Sequence, residues 1–239
     1  MRGVGGLEYP DRVLLLALDT STSAASVALW DDEAQLASSH VVDAQAHGEI
    51  LAPGIRAAFA EAGRSPAELT HVVTGVGPGP FTGLRVGIVT ARTLAHVRGL
   101  TALGLSGLDA LAHRAWTSGT RERVLVATDA RRNEVYWSVY DLDADGIYPL
   151  ASPQVARAAD LPEDVRTLPS VGRGGLLYPE DLPNRLVVCE DALDVDAGDL
   201  ADLARRRIAA GEDLLPAEPL YLRRPDAVPS TSVKSVLHR

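Results

Sequence analysis

The stretch Thr74-Gly75-Val76-Gly77-Pro78-Gly79-Pro80-Phe81-Thr82-Gly83-Leu84-Arg85-Val86-Gly87 decides how the chain folds. It begins at the end of an apolar run, turns on Gly and Pro, and enters a long helical pattern. Gly77 and Gly79 take positive φ without a Cβ penalty, while Pro78 and Pro80 fix φ and remove two donors. Thr82 is the expected N-cap of the helix. A glycine-rich turn feeding a helix N-terminus offers free N–H groups to a phosphate, or it is simply a tight strand-to-helix turn. A P-loop is excluded, because Gly83 is followed by Leu84-Arg85 and the only lysine is Lys234.

The helix expected over 82–97 is apolar most of the way round, through Leu84, Val86, Ile88, Val89, Ala91, Leu94 and Ala95. Such a helix is covered on more than one side. Gly83, Gly87 and Ala91 recur every four residues as a strip almost without side chain. Gly inside a helix costs about 1 kcal/mol against Ala, so the strip needs a reason. It faces the chain's own sheet or a second helix backbone. Since one sheet cannot cover both sides, a close approach by another helix is the expectation.

Upstream, 13–18 is a continuous apolar run, typical of a buried strand. It ends in Asp19-Thr20-Ser21-Thr22-Ser23, and further strands are expected over 25–30 and 35–42. Asp19 either places a carboxylate near phosphate and metal or closes an Asx turn, and the local pattern favours the turn. A helix over 49–62 turns Ile50, Leu51, Ile55, Ala58 and Phe59 to one side and stops at Gly63. Pro53 fits its first turn or a kink. His47, just before it, reads as a cap or packing residue, because a metal site needs several convergent ligands. Ser65-Pro66-Ala67-Glu68 carries the signature of a capped helical turn. Strands follow over 71–76 and 100–105. Gly104-Leu105-Ser106-Gly107-Leu108 fails as a nucleophile elbow, because Leu108 stands where Gly is needed.

Downstream, 116–123 is a polar connector and a plausible domain boundary. Val124 opens a hairpin with the charged turn Asp129-Ala130-Arg131-Arg132-Asn133-Glu134. Between 150 and 183 periodicity is weak, with a loop at Arg173-Gly174-Gly175 and a short strand at 186–189. A last amphipathic helix covers 198–210, followed by an extended 216–228. The division is a disordered lead at 1–12, a first lobe at 13–115, a smaller second lobe at 116–228 with a returning helix, and a disordered tail at 229–239.

The 239 residues carry a formal net charge of −9 and a single cysteine, Cys189. That charge makes unaided nucleic-acid binding a poor fit, since such binding rests on neutralising phosphates. One cysteine excludes an internal disulfide and a cysteine metal cluster. Without a transmembrane-length apolar stretch or a signal-peptide pattern, a cytoplasmic protein with no membrane association is expected.

Three hairpin strands with Asp at the first turn, then helix, strand and helix, resemble the actin-like ATPase and sugar-kinase superfamily, an α/β, ribonuclease H-like fold of two lobes with mixed sheets. The ordered segments Leu16-Ala17-Leu18-Asp19-Thr20-Ser21, His47-Gly48-Glu49-Ile50-Leu51-Ala52-Pro53, Gly77 to Gly87, Asp129 to Tyr136, and Tyr221-Leu222-Arg223 look more narrowly like the TsaB (YeaZ) family. The resemblance implies an accessory, dimerisation subunit for tRNA N6-threonylcarbamoyladenosine (t6A) synthesis. It implies pairing with the catalytic paralogue TsaD through two N-terminal helices, a homodimer on the same face, and the ATPase TsaE in the full assembly. The tRNA would be reached only through that complex. TsaD carries a metal-binding His-x-x-x-His whose positions match Gly107 and Leu111 here, and neither can ligate. A catalytically silent subunit is therefore expected, with a stand-alone kinase, ATPase or peptidase as the alternative. The expected partner interface is His47, Glu49, Ile50, Leu51, Pro53, Gly83, Arg85, Gly87, Thr90 and Ala91. Asp19, Thr20, Gly77, Gly79 and Thr82 form a candidate nucleotide loop. No metal and no stably bound cofactor are expected, with ATP or ADP, if held, at a shared interface.

Overall fold

The structure is a computed structural model that describes residues 13–189 and 191–223. The chain runs β1 (Leu14–Asp19), β2 (Ala24–Asp31), β3 (Gln35–Val42), α1 (His47–Ala62), β4 (His71–Gly75), α2 (Phe81–Val97), β5 (Ala102–Leu105) and α3 (Gly107–Thr117). It continues through β6 (Arg123–Asp129), β7 (Glu134–Leu142), β8 (Ile147–Pro149), β9 (Gln154–Arg157), α4 (Glu163–Arg166), β10 (Ser170–Val171), α5 (Arg173–Leu177), α6 (Ala197–Ala209) and β11 (Leu215–Pro216).

The first sheet has the order β11-β5-β4-β1-β2-β3. β1, β2 and β3 are antiparallel neighbours, whereas β4 and β5 run parallel to β1. Every residue of β1 is buried because both sheet faces are covered. Side chains alternate across a strand. Leu14, Leu16 and Leu18 therefore meet Leu51, Ile55 and Phe59 of α1 and Ala91 and Ala95 of α2. Leu15 and Ala17 meet Leu108 and Leu111 of α3 and Leu200 and Leu203 of α6. Three antiparallel strands followed by two parallel crossovers, with helices on both faces, are the actin-like, ribonuclease H-like arrangement.

The second sheet has the order β10-β6-β7-β8, with β9 also pairing with β7. β6 and β7 form the expected hairpin. The core that holds Leu15 and Ala17 continues through α3 to Val124, Val126 and Tyr140, so the two sheets share one apolar interior. Polar ties cross the same interface. The Tyr140 hydroxyl donates to Asp109 at 2.9 Å, and Arg207 reaches Asp109 at 3.0 Å. His113 Nε2 lies 2.8 Å from the Asp202 carboxylate.

Several sequence expectations are corrected. α1 begins at His47, and Pro53 sits inside it on the exposed side. The N-cap of α2 is Pro80 and not Thr82, which is an exposed first-turn residue with no capping bond. Arg173-Gly174-Gly175 opens the short helix α5, where an added Cβ on Gly174 would lie 2.6 Å from Ala127 Cβ. The strand expected at 186–189 is a 3-10 turn, Val187–Cys189. By contrast, Ser65 and Glu68 form the full reciprocal capping box, and Gly63 ends α1 at φ 61°. The expected lead and tail, 1–12 and 229–239, lie outside the described residues.

Candidate functional site

The central loop is shaped by what it packs against. Gly77 takes φ 103°, which an L side chain resists. Gly79 does not need positive φ; it needs the room, because an added Cβ would lie 2.2 Å from the Ser21 carbonyl oxygen. The same holds along α2. A Cβ on Gly83 would lie 2.6 Å from the Thr20 carbonyl oxygen, and one on Gly87 would lie 2.7 Å from the Thr20 hydroxyl. Ala91 is wholly buried in the core. The strip Gly83, Gly87, Ala91 thus faces the chain's own β1–β2 turn and sheet. The assignment of these residues to a partner is corrected: no second backbone can reach them.

His47 and Leu51 are also internal. The His47 ring packs beneath Gly83, and its Nε2 lies 3.4 Å from the Ser23 carbonyl. It is a packing residue of the turn, as the local sequence suggests. Glu49, Pro53 and Arg85 are exposed, and Ile50 and Thr90 are half-buried. The surplus apolar surface of α2 is Val89, 60% exposed, and Val97, 74% exposed. Their apolar character was visible in the sequence, but which face they occupy was not.

Asp19 is fully buried and turned into its own loop. Its Oδ1 accepts from the Ser21 amide at 2.8 Å, and the Ser21 hydroxyl lies 2.9 Å from Oδ2. The Asx-turn reading therefore holds. Oδ2 presses on Gly75, where an added Cβ would lie 1.7 Å away. Burial pushes the Asp19 carboxyl up to about 7, against the pull of the Ser21 hydrogen bonds. Thr20 is likewise committed to α2. Neither side chain points to open space, and Gly77 and Gly79 are closed off by Leu84 and Ser21.

At Gly107 an added Cβ would meet the Ser21 hydroxyl at 2.9 Å and Val195 at 3.0 Å. Leu111 is a core residue. Among the described residues no group of three His, Cys, Asp or Glu side chains is placed to hold a metal ion.

A solvent-open cleft of about 170 Å³ lies between the β1–β2 turn, the start of α1, the start of α2 and the β6–β7 hairpin. Its carboxylates are Asp129 and Asp194. Asp194 is paired with Arg173 and accepts from the Ser23 amide at 3.1 Å. Asp129 accepts from the Arg131 amide at 2.7 Å, and the Arg131 guanidinium stands 3.2 Å away. Arg131, Arg132 and Asn133 all take φ near 60°, which folds the hairpin tip tightly over the cleft. With each carboxylate held by an arginine, neither Asp129 nor Asp194 is placed as a free general base.

The Tyr221-Leu222-Arg223 segment lands on both sides of this region. Tyr221 stacks on Phe81 at 5.0 Å between centroids, and its hydroxyl accepts from Arg85 Nε at 3.0 Å. Arg223 donates to the Ala130 carbonyl at 2.8 Å and pairs with Glu134. Sequence reasoning marked the segment without giving it a role, since its partners lie 87 or more residues away.

The profile of the family described as "TsaD: tRNA N6-adenosine threonylcarbamoyltransferase" matches residues 41–168. An uncharacterised protein of Mycobacterium leprae is 39% identical over 224 residues, and the match covers 92% of this chain but 57% of that protein. The solved structure of YeaZ from Pseudomonas aeruginosa is similar with a TM-score of 0.76 and 35% identity, covering 88% of this chain and all of that one. The Escherichia coli tRNA threonylcarbamoyladenosine biosynthesis protein TsaB is 34% identical over 218 residues, covering 87% of this chain and 94% of that protein. On that identity and coverage, this chain belongs to the TsaB (YeaZ) family.

Proposed function

We propose that this protein is a non-catalytic accessory subunit of t6A synthesis that binds and activates a TsaD-type subunit. The observation that carries the reading is the sealing of Asp19. The carboxylate that an actin-like fold would aim at phosphate and metal is spent on Ser21 and pressed against Gly75. The positions matching the paralogue's histidines hold a glycine without room for a side chain and a core leucine.

The exposed side of α1 and α2 is the proposed partner face, with Glu49, Ile50, Pro53, Arg85, Val89 and Thr90. It would serve a TsaD-type subunit or, in its absence, a second copy of this chain, with a TsaE-type ATPase joining the assembly. A net charge of −9 supports tRNA contact only through the complex. The lone chain holds no nucleotide stably, and any ATP or ADP sits at a shared interface. Among the described residues no helix is long and apolar enough to cross a membrane, which supports a cytoplasmic place of action.

The test is reconstitution. Labelled threonine should enter tRNA when the purified chain is added to its cognate TsaD- and TsaE-type proteins and not when it is left out. The chain alone should turn over neither ATP nor peptides. Full t6A formation without the chain, or ATP or peptide turnover by the chain that survives repurification, would overturn the reading.

A further inference from the structure

Residues 215–223 contact three parts of the molecule in succession. β11 pairs antiparallel with β5 at the edge of the first sheet. The Leu220 amide then donates to the Val76 carbonyl at 2.8 Å, at the entry to the central loop. Tyr221 lies on Phe81, and the Arg85 guanidinium sits 3.7 Å from the centroid of the same ring. Two residues later Arg223 holds the β6–β7 hairpin through the Ala130 carbonyl and Glu134, with its guanidinium near the Tyr136 ring. Tyr136 itself reaches back to the Gly79 carbonyl at 3.4 Å.

The first turn of α2 and the cleft-side hairpin are therefore gripped by side chains two positions apart on one segment. Only Leu222 separates the two grips, so displacing one shifts the backbone that carries the other. We infer that residues 215–223 are a strap that couples the opening of the inter-lobe cleft to the position of the α2 N-terminal turn. Releasing Tyr221 from Phe81 and Arg85 slackens Arg223 and frees the hairpin; releasing Arg223 loosens the α2 turn. One consequence rests on the partner-face reading above. A subunit that recruits Arg85 on α2 would change how the cleft opens without touching it.

Amide hydrogen exchange on the isolated full chain tests the strap without any partner, so its outcome is separable from that of the reconstitution. The hairpin reporters are Ala130, whose amide donates to the Glu134 carbonyl, and Glu134, whose amide donates to the Arg131 carbonyl. The α2 reporter is Leu84, whose amide donates to the Pro80 carbonyl. Tyr221→Ala should speed exchange at Ala130 and Glu134 about ten-fold, and Arg223→Ala should do the same at Leu84, while Leu16 and Ala17 in β1 stay unchanged. Tyr221→Phe keeps the ring stack and loses the Arg85 bond, and Arg223→Gln shortens the hairpin grip. Both supply milder versions should either alanine variant fail to fold. Acceleration confined to the substituted end, or spread equally to β1, overturns the coupling.

Discussion

The Thr20 hydroxyl accepts a hydrogen bond from the Gly87 amide at 2.9 Å. The same oxygen donates to the Gly83 carbonyl at 2.7 Å. Residues 83 and 87 are the i and i+4 pair that bond to each other in an uninterrupted helix. A side chain from the β1–β2 turn is thus inserted into the α2 ladder, and both glycines are there to let it in. This pins the central loop to β1 and accounts for both Gly83 and Gly87 without a partner.

Gly87→Ala should therefore destabilise the protein, although Ala is the better helix former. The methyl group would stand 2.7 Å from a buried, doubly bonded hydroxyl. Overpacking of that kind costs about 1–3 kcal/mol and outweighs a gain of about 1 kcal/mol in propensity. Removing the hydroxyl with Thr20→Ala should make the second change less costly. A denaturant double-mutant cycle reads the coupling, and strictly additive costs would contradict the insertion.

Pairing should depend on α2 residues other than the glycines. Val89→Asp changes an exposed position, so the isolated chain should keep its stability within about 0.5 kcal/mol. Association with a TsaD-type subunit, or with a second copy, should weaken. Gly87→Leu should instead fail at folding. Light scattering beside circular dichroism separates the two cases, and a Val89→Asp protein that pairs normally would exclude this stretch of α2 from the interface.

Stability should fall as pH rises through the range that ionises Asp19. Its ordinary value of 3.8 is raised to about 7 in the fold by burial. Between those values the native state keeps a proton that the unfolded chain has released. The stabilising contribution is complete below about pH 4 and is lost as pH climbs through 7. Asp19→Asn removes this dependence. It should be stabilised relative to the parent at pH 8, by roughly 1.4 kcal/mol for each pH unit of the shift at most. Thermal melts at pH 5 and pH 8 check it; an equal difference at both pH values would mean that Asp19 is not the group.

Asp194→Ala should be among the most damaging single changes in the cleft. It breaks the Arg173 pair and the Ser23 amide bond at once, next to the Val195 amide that donates to Thr22. Leaving the half-buried Arg173 guanidinium and the Ser23 amide without their acceptor should cost about 1–3 kcal/mol. Urea titration should show the loss, and Arg173→Ala should lose less once Asp194 is already gone.

Much of the fold was legible in local sequence. The apolar run of β1, the Gly63 stop, the capping box at Ser65 and the charged β6–β7 turn each follow from near-neighbour chemistry, which a linear reading captures. The ordered motifs pointed to the family, and the Asx turn at Asp19 was readable because Ser21 is two residues away. The direction of a face was not legible. Gly83, Gly87 and Ala91 form the same strip whether they meet a foreign helix or Thr20, and Thr20 lies 67 residues before Gly87. Likewise, nothing near Tyr221 announces Phe81, nor anything near Arg223 the Ala130 carbonyl. Periodicity fixes which residues share a side of a helix; only the packing of distant segments decides what that side touches.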